Sequence, residues 1–131
     1  MRATLRRAPP PPVASDRRDD PSAEAAVPLS GSELIAVLRE RWQASYDLQL
    51  VQRRGRLYLQ VMWAYLEQQS FPLSPDDYAR RLEEVAALLN GMGTAAQVRH
   101  WLRTTSGKPR LGRALTLALE LPPGRSAEFL L

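Results

Sequence analysis

The architecture of this chain turns on Tyr46-Asp-Leu-Gln-Leu-Val-Gln-Arg-Arg-Gly-Arg-Leu-Tyr-Leu-Gln-Val-Met-Trp63. Apolar residues recur at every second position on both sides of Arg54-Gly55, the pattern of two half-buried strands joined by a tight turn. With Arg54-Gly55 as the loop, Leu50 falls opposite Leu59, Leu48 opposite Val61 and Tyr46 opposite Trp63. A slip of one residue would set Leu48 against Gln60 or Met62 and split the apolar face between both sides of the sheet. The sequence therefore predicts a hairpin whose Leu57, Leu59, Val61 and Trp63 face the core. The same register brings Arg53 opposite Arg56 with Arg54 between them. Beyond Trp63, the run Ala64 to Gln69 fits neither the strand nor the helix period. Phe71-Pro72 ends any helix, because a residue before proline avoids the helical region.

On the N-terminal side, Ser30-Gly-Ser-Glu33 has capping-box spacing, and Leu34, Ile35, Leu38 and Trp42 then share one helical face. This predicts a helix over about residues 32–43. On the C-terminal side, Ser74 is the expected N-cap of a second helix, with Pro75, Asp76 and Asp77 in its first turn. Tyr78, Leu82, Val85 and Leu89 form its stripe, and Gly91 is the expected stop. Thr94-Ala-Ala-Gln97 reads as another capping box, opening a third helix with Val98, Trp101 and Leu102 facing in. After a polar loop, Leu115, Leu117, Leu119 and Leu121 alternate as a half-buried strand that ends at Pro122-Pro-Gly124. Ser126 to Leu131 has room for a short final helical turn. The expected fold class is α+β: a small antiparallel three-stranded sheet with helices packed on one face, in the order α-β-β-α-α-β.

The first 28 residues hold six of the eleven prolines and mix five arginines with four acids, so they cannot bury enough apolar surface to offset chain ordering. They are expected to form a disordered Pro/Arg-rich tail ahead of one domain spanning residues 29–131. The chain has no cysteine, which excludes disulfides, iron–sulfur clusters and cysteine zinc sites. No run approaches the roughly 18 consecutive apolar residues of a membrane span, and the N-terminus carries no apolar signal core. Asp16, Asp19, Asp20 and Glu24 make the first residues too acidic for a typical transit peptide. Net charge is +4, mildly basic and short of a nucleic-acid footprint.

Motifs of catalysis fail on inspection. Gly91-Met-Gly-Thr-Ala-Ala96 matches a dinucleotide fingerprint in letters, but a helix precedes it where a strand is required. Gly107-Lys108 is followed by Pro109, where a phosphate loop needs Ser or Thr. His100 is the sole histidine and has no evident metal or nucleophile partner. The pair Asp76/Asp77 sits where helix starts favour acids. Glu83/Glu84 faces away from the stripe, where it could pair with Arg80 or Arg81. Core packing is the expected duty of Trp42, Trp63 and Trp101. Gln68 and Gln69 have no evident structural duty, and a ligand pocket is best sought beside them.

Two basic groups remain: Arg53, Arg54 and Arg56 at the hairpin tip, and Arg99, Arg103, Lys108, Arg110 and Arg113 in the third helix and following loop. Solvation of these groups, and protection of a sheet edge by them, is the plain expectation. The functional one is charge-assisted bonding to carboxylate or phosphate through Arg53, Arg54, Arg56, Lys108 and Arg110. The outer sheet face offers Tyr58 as its single aromatic, whereas RNA-stacking sheets carry two or three.

The segments Trp42…Tyr46-Asp-Leu-Gln-Leu50, Leu59 to Leu73 and Lys108-Pro-Arg-Leu-Gly112 together resemble domain-of-unknown-function family 3067, found in cyanobacteria and in chloroplasts of algae and plants. The likeness runs over about residues 32–131 and implies a compact α+β domain from an oxygenic phototroph, with no catalytic residues to carry over. The expectation is thus a non-enzymatic interaction protein without a cofactor, an assembly or regulatory factor linked to photosynthesis that binds a protein with an acidic surface. An RNA- or DNA-binding module using the same groups is the alternative. The expected compartment is the cyanobacterial cytoplasm, or otherwise the chloroplast stroma.

Overall fold

In a computed structural model of the protein, which describes residues 27–122, three helices and a three-stranded sheet follow one another in the expected order. They are α1 (Gly31–Trp42), β1 (Tyr46–Arg53), β2 (Arg56–Tyr65), α2 (Pro75–Gly91), α3 (Ala95–Thr104) and β3 (Leu115–Ala118). The expected helical turn at Ser126 to Leu131, and the expected tail apart from Val27 and Pro28, lie outside the described residues.

The sheet is antiparallel throughout, in the order β1-β2-β3. Arg54 and Gly55 both take positive φ, 53° and 75°, the two-residue turn whose twist matches the flanking strands. That turn sets Arg53 against Arg56, Leu50 against Leu59 and Leu48 against Val61, as the alternation requires. The match ends there. Tyr46 pairs with Tyr65 and not with Trp63, because β2 spends three residues between Val61 and Tyr65 where β1 spends only Asp47. Trp63 is consequently half-exposed and outside the core, contrary to expectation, while Trp42 and Trp101 do pack against it.

This irregular stretch is held by a carboxylate. Glu67 accepts from the Ser45 N–H at 2.9 Å and from its hydroxyl at 2.8 Å, and Tyr78 donates its own hydroxyl to the Tyr46 carbonyl at 2.8 Å. Burial pushes the Glu67 carboxyl upward, but the two Ser45 bonds and the nearby Arg39 outweigh it and hold it below its ordinary value. Tyr78, buried with its ring edge-on to Phe71, has its phenol pushed well above its ordinary value, first by burial and then by Asp47 and Glu67.

Leu34 and Leu38 from α1, Leu48, Leu59 and Val61 from the sheet, Tyr78, Leu82 and Leu89 from α2, and Val98 and Leu102 from α3 fill one core. The first capping box is half-built and the second is not built. Ser30 accepts from the Glu33 N–H at 3.1 Å, yet the Glu33 carboxylate turns to Arg99. Thr94 donates its hydroxyl to the Leu89 carbonyl, and Gln97 accepts from the Glu120 N–H, two residues past β3. In each case the side chain that would have closed the box serves a distant element. Ser74 caps α2 as expected, but the left-handed residue that turns the chain is Gly93 (φ 76°), two positions past the expected stop.

α1 and α2 cross closely at Gly31. Its N–H donates to Glu83 Oε1 at 3.1 Å, so Glu83 serves the start of α1 and pairs with neither Arg80 nor Arg81. Arg41, at the far end of α1, donates to the Leu102 and Thr105 carbonyls at 2.6 Å each, satisfying the last turn of α3. The neighbouring Trp42 indole donates to the Gly107 carbonyl. One end of α1 thereby fixes both α3 and the loop that leads into β3.

Candidate functional site

The fold sorts the arginines into two kinds. Arg39, Arg41, Arg80, Arg81 and Arg99 are tied to carboxylates or carbonyls. Arg99 is only 7% exposed and grips Glu33 through 2.6 and 2.9 Å bonds while also donating to the Val27 carbonyl. Its hydrogen bond, and then the charges of Arg99 and Arg103, outweigh burial and hold the Glu33 carboxyl below its ordinary value. Arg99 therefore leaves the second basic group; it is a structural clamp between the starts of α1 and α3. Sequence spacing alone carried no sign of this, since Glu33 lies 66 positions away.

Arg53, Arg54 and Arg56 are the other kind. All three are exposed at the hairpin tip, and among the described residues none makes an ion pair or a side-chain hydrogen bond. Both turn residues take left-handed backbone, so a tight turn holds the three arginines together at the tip. Lys108 and Arg110 are likewise exposed and unpaired among the described residues. The Arg110 and Arg113 backbones exchange bonds of 3.0 and 2.7 Å, closing a second tight turn with Leu111, 89% exposed, at its apex.

These two groups do not form one patch. Leu115, at the start of β3, pairs with Val61, while Arg56 starts β2 five residues earlier. At roughly 3.3 Å per residue the loop and the tip lie some 17 Å apart, at opposite ends of the sheet. Gln68 and Gln69 are exposed in a chain of turns, with the Gln68 N–H on the Tyr65 carbonyl and its own carbonyl receiving the Phe71 N–H. Their duty is that turn, and the glutamate before them carries the chemistry of the exit.

A shallow groove does occur elsewhere, between β1 and α2. It measures about 260 Å³ and is lined by Leu48, Gln49, Leu50, Arg81, Glu84, Val85 and Leu88. α2 runs alongside β1 in the same direction: Tyr78 meets Tyr46, Arg81 meets Asp47 at 3.2 Å, and the groove continues to Leu50 and Leu88. The arginine tip lies past its far end. Sequence reading passed over this groove, although Leu88, off the buried stripe of α2 and 48% exposed, marks it.

Among the described residues no three His, Asp or Glu side chains converge as a metal site would require, and His100 is exposed. No described helix is long and apolar enough to cross a membrane.

Residues 32–130 match a family model described as Domain of unknown function (DUF3067). No curated protein matches the chain. Among solved structures, the solution NMR structure of the Alr2454 protein from Nostoc sp. strain PCC 7120 is similar, at 40% identity and a TM-score of 0.70, over 79% of this chain and 98% of that one. With its sheet, its three helices and nearly all of its described length inside that match, the chain belongs to the DUF3067 family.

Proposed function

We propose that the protein is a non-enzymatic interaction module that recognises an acidic protein surface through Arg53, Arg54 and Arg56. The observation that carries this reading is the sorting of the arginines. Five other guanidinium groups of the domain are engaged within it, while the three at the tip cluster on one tight turn and are unengaged among the described residues; Arg110 is unengaged too but stands at the other end of the sheet. Exposed guanidinium groups form strong, geometrically selective bonds to carboxylates, and a fixed backbone lowers the entropy lost on binding. Lys108 and Arg110, at the other end of the sheet, are a separate and secondary contact. The finer reading is an assembly or regulatory factor linked to photosynthesis, working in a cyanobacterial cytoplasm or a chloroplast stroma. Its support is the family resemblance and a cyanobacterial relative, which speak to setting and not to mechanism.

The test compares the native chain with one carrying Arg53→Glu, Arg54→Glu and Arg56→Glu, both captured from low-salt host lysate with and without nuclease. The reading expects a defined protein partner that survives nuclease and is lost on charge reversal, with the thermal melt unchanged. Partners that vanish with nuclease would assign the tip to nucleic acid instead. A partner indifferent to the reversal would remove the tip as the site.

A further inference from the structure

We infer that the open edge of β1, together with the groove beside it, binds an extended peptide of the partner protein as a fourth strand, with an acidic stretch of that peptide seated on the arginine tip. This deepens the proposed function and rests on it for the acidic end alone. The backbone N–H and C=O groups of β1 point alternately toward β2 and away from it, and each needs a partner. The residues flanking a two-residue hairpin turn exchange both their bonds, so Arg53 and Arg56 do so. Val51 with Tyr58 and Gln49 with Gln60 then follow, since such pairs alternate. The intervening residues Leu48, Leu50 and Gln52 must turn their N–H and C=O groups away from β2. Two contacts bear this out. The Leu57 carbonyl, whose strand partner is Gln52, accepts from Leu119 just after β3, and the Leu48 N–H is bonded to the side chain of Asp47. Among the described residues nothing bonds the N–H of Leu50 or of Gln52.

The two edges of the sheet differ. β3 is four residues long, the Glu120 N–H two residues beyond it is occupied by Gln97, and Pro122 follows. Short strands and prolines are how proteins blunt an edge. β1 is eight residues long, with neither lysine nor proline among its outward positions. Beside those positions lies an apolar groove floored by Leu48, Leu50, Val85 and Leu88. An edge supplying backbone bonds next to a groove taking alternate side chains is the arrangement that captures peptides by strand addition.

Charge fixes the occupant and its polarity. Arg81 is tied to Asp47, and Glu84 repels acids along the groove, so carboxylates are favoured only beyond it, at Arg53 and Arg54. Antiparallel pairing, the more stable mode, puts the peptide's N-terminal end at the tip. The peptide therefore carries acids first and alternating apolar residues after them, over about seven residues or roughly 20 Å from Arg54 back to Leu48.

The test pans a random twelve-residue phage-display library against the immobilised full chain and titrates a recovered peptide by fluorescence anisotropy. The expected peptides have acids N-terminal to alternating apolar residues. Gln52→Pro removes one outward N–H at a tolerated edge position, and Leu88→Glu spoils the groove at an exposed one. Each should weaken the peptide about tenfold, the equivalent of about 1.4 kcal/mol, with circular dichroism unchanged. Acidic peptides that are lost on reversing the tip arginines but indifferent to both groove variants would overturn this inference and leave the proposed function standing. Apolar alternating peptides sensitive to the groove variants but not to the tip would support the groove and sink the acidic seat. Sedimentation showing a dimer dissolved by Gln52→Pro would give the edge to a second copy and overturn the inference, as would recovery of no peptide at all.

Discussion

Two glycines at helix positions should respond to alanine in opposite directions. Replacing a helical glycine with alanine ordinarily stabilises by about 0.4–1 kcal/mol, because the unfolded chain loses freedom. Gly91, the last residue of α2, has nothing within 4 Å of where a Cβ would stand and no positive φ, so Gly91→Ala should follow that rule. Gly31 should not. Its Cβ would lie 2.8 Å from the Glu83 backbone nitrogen and 3.0 Å from its Cα, so α1 and α2 would have to part by about 0.6 Å to reach ordinary contact at 3.4 Å. Overpacking of this kind costs about 1–3 kcal/mol. The Gly31 N–H bond to Glu83, now stretched, adds about 0.5–1.5 kcal/mol. Setting about 1 kcal/mol of helix propensity against these leaves a net loss of about 2 kcal/mol. For a domain of this size that is a fall in melting temperature of about 10 °C, against a rise of about 4 °C for Gly91→Ala. Thermal unfolding of both variants, followed at 222 nm, decides the matter. A Gly31→Ala chain melting at or above the native temperature would refute the close crossing of α1 and α2.

Two further outcomes concern polar groups tied across the fold. Glu33 and Glu67 both have carboxyls held below their ordinary value of 4.5, so each contributes stability that is complete above that value and is lost as pH falls through the lower folded one. The urea midpoint should therefore drop on acidification below about pH 5, and Glu33→Gln should flatten that acid limb; an equally steep limb in the variant would dismiss the Arg99–Glu33 clamp as its cause. Tyr78→Phe leaves the Tyr46 carbonyl without its donor and should cost about 1–2 kcal/mol in urea titration with an unchanged m-value, and a neutral result would place that bond outside the stability of the fold.

The hairpin was legible because two independent constraints agreed. Arg54-Gly55 admits a two-residue turn, and the apolar face survives only one register across Leu48, Leu50, Leu59 and Val61. The cap of α2 was legible for a similar reason, since Ser74 and Pro75 act on their immediate neighbours. What failed to be read depends on partners far along the chain. Trp63 has the parity of a core residue, and the register shift between Tyr46 and Leu48, beside the Glu67–Ser45 clamp, takes it out of the core. Arg99 and Arg53 look alike in sequence, and partners far along the chain, Glu33 and the Val27 carbonyl, distinguish them. The candidate groove needed more still. Periodicity shows that Leu48 and Leu50 face inward, but which strand ends up at an edge, and whether a helix leaves room beside it, is decided by the assembled sheet.

The unequal edges of that sheet also set the valence of the molecule. A domain with two open edges can add copies at both and polymerise without limit, the geometry from which fibrils grow. Here one edge is blunted by brevity and by Gln97, so two copies joined through β1 would present only that blunted edge outward at either end. Pairing of that kind closes at two copies, so crowding the protein to high concentration should give countable species in place of filaments, which sedimentation would show.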